Sequence, residues 1–306
     1  MLERYRNNPI LSPVMEHPWE SVMVFNCGAI YEGGKVHLIY RAHGHTLGVS
    51  RLGYASSRDG FTIDERTDEP IFCPDAVNDM ECRGVEDPRL TRIGDRIYMT
   101  YTAYGRVPRI PRDMRSVQIG MTSISVKDFV AKRWNWEKRY YPLPNVDDKD
   151  CVIFPEKIKN RYVMYHRIHP CIWIAYSDDL VHWYDHNVIM SPEEEWEYFK
   201  IGAGSPPIKT EKGWLITYHA VDARYWYRTG LALADLDDPS KIAWRMKKPL
   251  LEPEKPYEKN GVIPNVVFSS GAVVIGEKLF VYYGCADTCI GVATAKLKDI
   301  VSSIVR

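Results

Sequence analysis

The sequence predicts an all-β fold, a five-bladed β-propeller with a pocket on its central axis. Three observations carry this reading: an apolar motif that recurs five times, a tight polar turn before each copy, and helical periodicity confined to the C-terminal KDIVSSIVR. The copies are KVHLIYRAHG (35–44), RIYMTYTAYG (96–105), RYVMYHRIHP (161–170), GWLITYHAVD (213–222) and KLFVYYGCAD (278–287). Aligned on Tyr40, Tyr101, His166, Tyr218 and Tyr283, they step by 61, 65, 52 and 65 residues, a period that marks repeated supersecondary units.

Each unit opens as a hairpin. The turns EGGK, IGDR, IKNR, EKGW and IGEK follow the strands GAIY, PRLTRI, VIFPEKI, PPIKT and GAVVI, and Gly, Asn and Asp supply the positive φ that such turns demand. Two outer strands are then expected, in RLGYASSRDGFTI, VQIGMTSISVKDFVAKRW, IWIAYSDDLVHWYD and TGLALADLDDPSKIAWR. The fifth unit stops early at CIGVATAKL, so the N-terminal RNNPILSP is expected to supply its outer strand. Residues 1–306 are expected to form a single catalytic domain.

Composition narrows the function. Forty basic and forty acidic side chains cancel, leaving no long-range field to gather nucleic acid or an anionic membrane. The N-terminal MLERYRNNPILSPVMEHPWE lacks an apolar signal-peptide core and no run is long enough to span a bilayer, so the expectation is a soluble, cytoplasmic protein. Seven cysteines without CxxC spacing argue against a disulfide framework or a structural zinc site; Cys285 and Cys289 are read as thiols rather than ligands, and no metal is expected. Twenty Tyr, nine Trp and eight Phe suit both strand-rich and sugar-handling proteins.

In a propeller, equivalent positions of the blades converge on the axis, so chemistry should show as departures from the repeat. After the five aligned residues come Arg41, Thr102, Arg167, His219 and Gly284. Three of these can carry positive charge, which suggests an anion pocket suited to phosphate. The leading strands contribute Phe25-Asn26, Glu86-Asp87, Lys149-Asp150, Lys200-Ile201-Gly202 and Asn265. Only RGVEDPRL (83–90) joins paired acids to a following arginine, Arg89. Carboxylates in an aromatic-lined channel are the acid/base equipment of glycoside cleavage. A hydrolase needs a second carboxylate, for which Glu86, Asp150, Asp222 and Asp287 all remain open; a phosphorolytic enzyme needs cations to hold phosphate instead.

GVEDPRL, DKDCVIFPEKIKNRYVMYHR, KIGAGSPPIKTEKGWLITYH, YRTGLALADLDDPSKI and IPNVVFSSGAVVIGEKLFVYYGCADT resemble glycoside hydrolase family 130, the β-mannoside phosphorylases and β-mannosidases, over nearly the whole chain. The resemblance implies a five-bladed propeller, independently of the repeat. It implies Asp87 as the general acid, relaying its proton through the mannose 3-hydroxyl, and Lys149, Arg167, Lys200, His219 and Tyr227 as the phosphate-binding set. It implies Asn26, Arg41, Phe268 and Asp287 around the mannose. Within RGVEDPRL, Glu86 and Arg89 are read as substrate-side groups that orient Asp87 rather than react. Lys149 stands where many relatives carry arginine; it keeps the charge and loses the bidentate fork.

The function expected is an inverting phosphorylase that cleaves non-reducing β-linked mannose with inorganic phosphate to give α-mannose 1-phosphate, β-1,2 linkages being favoured over β-1,4. Phosphate is a co-substrate and no cofactor is expected. The alternatives are a phosphate-independent β-mannosidase and a non-catalytic glycan-binding propeller. A homo-oligomer is left open. Tyr225-Trp226-Tyr227 and Trp134-Trp136 are candidate sugar platforms or blade packing. The basic GRVPRIPRDMR (105–115) reads as an exposed loop that could cover a pocket, and SDDLVHW and LDDPSKI read as Asx turns.

Overall fold

The computed structural model describes residues 2–45, 49–106 and 115–304. A short strand, β1 (Glu3–Arg4), precedes the first blade, which comprises β2 (Met23–Glu32), β3 (Lys35–His43), β4 (Arg51–Ser57) and β5 (Glu65–Arg66). Blade two holds β6 (Gly84–Ile93), β7 (Arg96–Arg106) and β8 (Arg115–Ser125), followed by α1 (Val126–Val130). Blade three holds β9 (Lys149–Ile153), β10 (Tyr162–Ile168), β11 (Cys171–Ser177) and β12 (Tyr184–Met190). Blade four holds β13 (Lys200–Ala203), β14 (Ile208–Thr210), β15 (Gly213–Val221), β16 (Tyr227–Ala234) and β17 (Ile242–Arg245). After α2 (Pro256–Lys259), blade five holds β18 (Val267–Ile275), β19 (Lys278–Cys285) and β20 (Cys289–Lys296), and α3 (Leu297–Ser303) ends the described chain. The five sheets make the five-bladed propeller that the repeat predicts.

All five predicted hairpins close with two residues, between Glu32 and Lys35, Ile93 and Arg96, Ile158 and Arg161, Thr210 and Gly213, and Ile275 and Lys278. Three expectations change. Blade two is a three-stranded sheet, because Ser125 caps α1 by accepting the Asp128 amide at 3.0 Å and turns SVKDFV into a helix that buries Phe129. The inner strand of blade four is split into β13 and β14, since Pro206 and Pro207 have no N–H to give the ladder. Blade five is closed by β1, just ahead of the expected RNNPILSP; within that segment Leu11 bridges Ile290, and Asn8 exchanges side-chain hydrogen bonds with the backbone of Val292 at 2.9 and 3.0 Å. The basic loop falls mainly on residues 107–114, outside the described residues, while Gly105 and Arg106 at its start continue β7.

Each blade is buried on both faces, which explains why its strands read as unbroken apolar runs. Along β15, Trp214 and Ile216 pack against Val152 and Tyr165 of blade three, whereas Leu215 packs against Leu279 and Val281 of blade five. Equivalent clusters join blades five and one, one and two, and two and three, so the ring of sheets is also a ring of cores. Trp134 and Trp136 belong here as packing groups, Trp134 lying 4.9 Å from the Tyr54 ring and Trp136 5.8 Å from Phe72. Both Asx turns form: Asp179 Oδ1 accepts the amides of Val181 and His182, and Asp235 Oδ1 those of Asp237 and Asp238.

The aligned tyrosines share one buried constellation. Tyr40, Tyr101, Tyr218 and Tyr283 donate to Glu20, Glu81, Glu197 and Glu258 at 2.8, 2.7, 2.7 and 3.0 Å, and all four carboxylates are fully buried. Each carboxylate is also paired with an arginine: Arg66, Arg139, Arg245 and, from β1, Arg4. Opposite each tyrosine on the next strand stands a glycine, Gly53, Gly120, Gly230 or Gly291, where a Cβ would lie within 2.8 Å of the ring. The clamp therefore ties the loop before a blade to its second strand and outer edge. Blade three alone departs from it, with Asp148, His166, Trp173 and His186 in these places.

Removing one member should strand a buried charge. Glu197→Gln is expected to cost about 3 kcal/mol, since Arg245 loses its buried counter-ion and keeps only the exposed Glu193 carboxylate at 3.4 Å, and Tyr218→Phe about 1–2 kcal/mol, read from chemical denaturation. A loss below about 1 kcal/mol for Glu197→Gln would show the clamp to be incidental.

Candidate active site

The inner strands of blades one, two and three each carry an extra residue, where the ladder shifts at Asn26, at Asp87-Pro88 and at Asp150-Cys151. Asn26, Asp87 and Asp150 adopt φ of 46°, 48° and 56°, the left-handed region that Asn and Asp tolerate best among residues with a Cβ. Such bulges re-aim a side chain, here towards the axis. In blade four the ladder has no such shift: Gly202 pairs with His219, the place of Phe25, Glu86 and Lys149 in the other blades, and a Cβ there would come within 2.4 Å of His219 and 2.7 Å of Asp150 Oδ2. In blade five Asn265 lies ahead of β18 and gives its carbonyl to the Tyr227 amide, so Phe268, opposite Gly284, is the axial residue there rather than Asn265.

A cavity of about 470 Å³ is lined by Asn26, Arg41, Asp87, Lys149, Tyr227, Phe268 and Asp287, together with Tyr225, Ile263 and Val266. Seven predicted residues thus meet on one wall system. Asp87 is buried at its base; its Oδ1 accepts from Asn26 at 2.9 Å and Arg41 at 3.3 Å, and Lys149 Nζ stands 3.8 Å from Oδ2. Burial opposes its ionisation, but Arg41, Lys149, Arg89 and the Asn26 hydrogen bond outweigh it and hold the carboxyl below its usual range.

Asp150 is the hub behind this wall. Its Oδ1 accepts from Arg89 at 3.0 Å, and its Oδ2 lies 2.8 Å from Arg167 Nε and 3.5 Å from His219 Nε2. Burial again opposes the charge, and Arg167, His219, Arg89 and Lys149 drive the carboxyl far below its ordinary value. Arg89 crosses from blade two to blade four, giving hydrogen bonds to the carbonyls of Asp87, Ala203 and Gly204 at 2.7, 3.3 and 3.2 Å. It does not line the cavity, and neither does Glu86, whose Oε1 takes the Arg41 Nη2 at 2.6 Å; both expected substrate-side residues are engaged by protein groups.

His219 departs from its expected role as a cation. Burial first, and then Arg167, Arg89 and Lys200, push it down to about 3, so it is a neutral ring. Its Nδ1 and the Asn26 Oδ1 are buried without a hydrogen-bond partner among the described residues, as functional sites often leave polar atoms. The His219 ring lies 4.4 Å from Phe268 and 6.2 Å from Tyr227, and Lys200 Nζ sits 5.4 Å from the Tyr227 ring centre. Burial, with Asp287, Asp150 and Asp87, raises Tyr227 to about 12 and keeps its hydroxyl protonated. Asp287 is raised to about 6, by burial first and by Asp87 and Glu86 against the pull of Arg41 and Lys149.

Asp222, one of the sequence candidates for a second carboxylate, is elsewhere. It pairs with Arg228 at 3.0 Å and lines a larger groove of about 760 Å³ with Glu194, Trp196, Tyr198 and Arg224, which contains none of the other predicted site residues. Ile263 and Val266 were not expected at the cavity, since nothing in their apolar loop distinguishes them. Tyr225 was singled out within its aromatic cluster, and it is exposed at the rim.

The profile of glycoside hydrolase family 130, described as beta-1,4-mannooligosaccharide phosphorylase, matches residues 1–306. The chain belongs to glycoside hydrolase family 130. This family-130 chain is 45% identical to a 1,2-beta-oligomannan phosphorylase and 46% identical to a beta-1,2-mannobiose phosphorylase, both of Thermoanaerobacter sp. (strain X514), each alignment covering 98% of both chains. Its fold matches the beta-1,2-mannobiose phosphorylase of Listeria innocua, solved with beta-1,2-mannobiose, with a TM-score of 0.82 and 28% identity over 98% of both chains.

The raised Asp287 makes a stability prediction for this family-130 protein. Its folded value lies above the unfolded one, so its ionisation costs stability as pH rises from about 4 to about 6, and the full cost applies above that. Asp287→Asn is therefore expected to stabilise the fold by about 1–2 kcal/mol at neutral pH, with the gain vanishing near pH 4. Equal gains at both pH values in thermal unfolding would contradict this assignment.

Proposed function

We propose that this family-130 chain is an inverting β-mannoside phosphorylase that cleaves non-reducing β-1,2-linked mannose with inorganic phosphate, releasing α-mannose 1-phosphate. The observation that carries the reading is the division of the site by blade. Blades three and four contribute Lys149 and Tyr227 to the cavity, with Arg167 and His219 on Asp150 behind it and Lys200 beside the Tyr227 ring, while blades five and one contribute Phe268, Asp287, Asn26 and Arg41, and blade two Asp87. The β-1,2 preference rests on the names of the relatives most similar to the chain.

In this reading Lys149, Arg167 and Lys200 hold the phosphate by charge, and neutral His219 and the Tyr227 hydroxyl add hydrogen bonds. A phosphate oxygen attacks the anomeric carbon from the face opposite the leaving sugar, the bond to the glycosidic oxygen breaks, and inversion gives the α-phosphate. The proton for that oxygen starts on Asp87 and passes through the mannose 3-hydroxyl. Arg41 and Lys149 favour the ionised form of Asp87, so a bound phosphate, by offsetting those charges, favours the protonated form that an acid needs. Neither Glu86 nor Asp150 is available to activate water, since each is committed to arginine. The cytoplasm is the proposed location, on the unpatterned cysteines.

Three results are expected. β-1,2-Mannobiose is consumed only when phosphate is present and gives mannose 1-phosphate; equal consumption without phosphate identifies a β-mannosidase, and none under either condition a binding propeller. Asp87→Asn lowers kcat/KM by about 10²–10⁴ with an unchanged fold, and full activity would remove Asp87 as the acid. Lys149→Ala raises the KM for phosphate by about 10- to 100-fold while the KM for mannobiose moves little; the reverse split would place Lys149 on the sugar side.

A further inference from the structure

Blade three is the one blade whose clamp carries no arginine, and it is also the blade that supplies Lys149 and Arg167. Asp148 Oδ2 accepts from His166 Nδ1 at 2.6 Å, while Asp148 Oδ1 accepts the backbone N–H of Arg167 at 3.1 Å. His166 Nε2 faces His186 Nδ1 at 3.2 Å, and His186 Nε2 lies 3.3 Å from the Trp183 carbonyl. In blades four and five the clamp acid also accepts amides of its own leading loop, as Glu197 does from Glu193 and Glu194 and Glu258 from Glu254 and Lys255. Asp148 instead holds the second strand beside the site and immediately precedes Lys149.

The hydrogen bonds determine a proton count. A carboxylate and a carbonyl only accept, so His166 Nδ1 and His186 Nε2 both carry hydrogens. Two neutral rings would then turn lone pairs towards each other at 3.2 Å, so the pair is satisfied only with one further proton between Nε2 and Nδ1. That single positive charge stands where the other blades have arginine, and His166 and Asp148 are as buried as the glutamates of those clamps. We infer that the Asp148–His166–His186 chain is a positioning device for the anion side of the site, holding Lys149 and Arg167 in place through one proton shared by two imidazoles.

The groups facing the rings are Asp148 from the segment before β9, Trp173 on β11 at 6.4 Å from the His166 ring, and the Trp183 carbonyl and Asp185 beside His186. Burial and the neighbouring His166 oppose the charge on His186, while the Trp183 carbonyl, Asp148 and Asp185 favour it. Loss of the shared proton leaves Asp148 without its counter-charge next to Lys149 and Arg167, and anion binding weakens. An arginine clamp could not make this change, since its charge persists at every physiological pH.

The inference rests on the reading of Lys149 and Arg167 as an anion site, so its test measures anion binding without turnover. Sulfate, which does not titrate in the range used, is bound to the intact protein and followed by calorimetry at about pH 6 and about pH 8.5. Wild-type affinity is expected to fall by about five- to tenfold between the two, the reciprocal of proton–anion coupling. His186→Gln, at a partly exposed outer-strand position, offers an amide donor to His166 and removes the need for the proton; its affinity should change less than about twofold over the same range. Asp148→Asn should weaken sulfate at both pH values by about tenfold. If His186→Gln and wild type show the same pH dependence, the chain is structural only and the inference is overturned. Binding of neither sulfate nor phosphate by wild type would overturn the phosphorylase reading, and this one with it.

Discussion

The arrangement depends on a buried carboxylate placed once per blade. Twenty kilocalories or so separate an ion in water from one in a dry interior by simple solvation, so a fully buried glutamate persists only where its partners replace the water completely. Tyr218 and Arg245 do this for Glu197, and the glycine opposite each tyrosine lets the ring lie flat enough to reach. Because the acid comes from the approach loop, the tyrosine from the second strand and the arginine from the outer edge, one charged group secures three layers of a blade. In blade five that arginine is Arg4, so the same interaction closes the ring between the two ends of the chain.

The rigid ring explains how an axial site can hold so much charge. Asp87 and Asp150 lie at bulges in left-handed conformations, strain that isolated strands would relieve by slipping. Between clamped blades they cannot slip, and the arginines that neutralise them come from neighbouring strands. Arg89 reaches from blade two to Asp150 and the carbonyls of blade four, so the electrostatics of the site and the joining of the blades are one network. In the proposed function, Lys149, Arg167 and Lys200 are the positive groups of this network that an anion would meet.

Much of this was legible in the chain. The five apolar copies and their two-residue turns predicted the propeller because a blade buried on both faces must be apolar throughout and must return through residues that accept positive φ. The position after each aligned residue identified Arg41, Arg167 and His219, since strand register carries that offset unchanged from blade to blade. Less visible was the helix α1, where a single serine cap turned an expected strand away, and the split inner strand of blade four. The clamp acids escaped notice because they lie in the loops ahead of the blades, outside the apolar copies; their offset from the tyrosine is 20 residues in blades one and two, 21 in blade four and 25 in blade five.

By itself, then, the sequence determined the number of blades and their hairpins and pointed Asn26, Arg41, Asp87 and Lys149 to the axis, because all of these follow from local periodicity and turn chemistry. Only the tertiary structure decided what those residues are to one another. That Asp150 is a counter-ion for Arg89 and Arg167, that His219 is neutral, that Asp287 resists ionisation and that His166 links Asp148 to His186 are consequences of burial and of distances between strands. Charge and protonation depend on neighbours far apart in the chain, and no spacing within one strand encodes them.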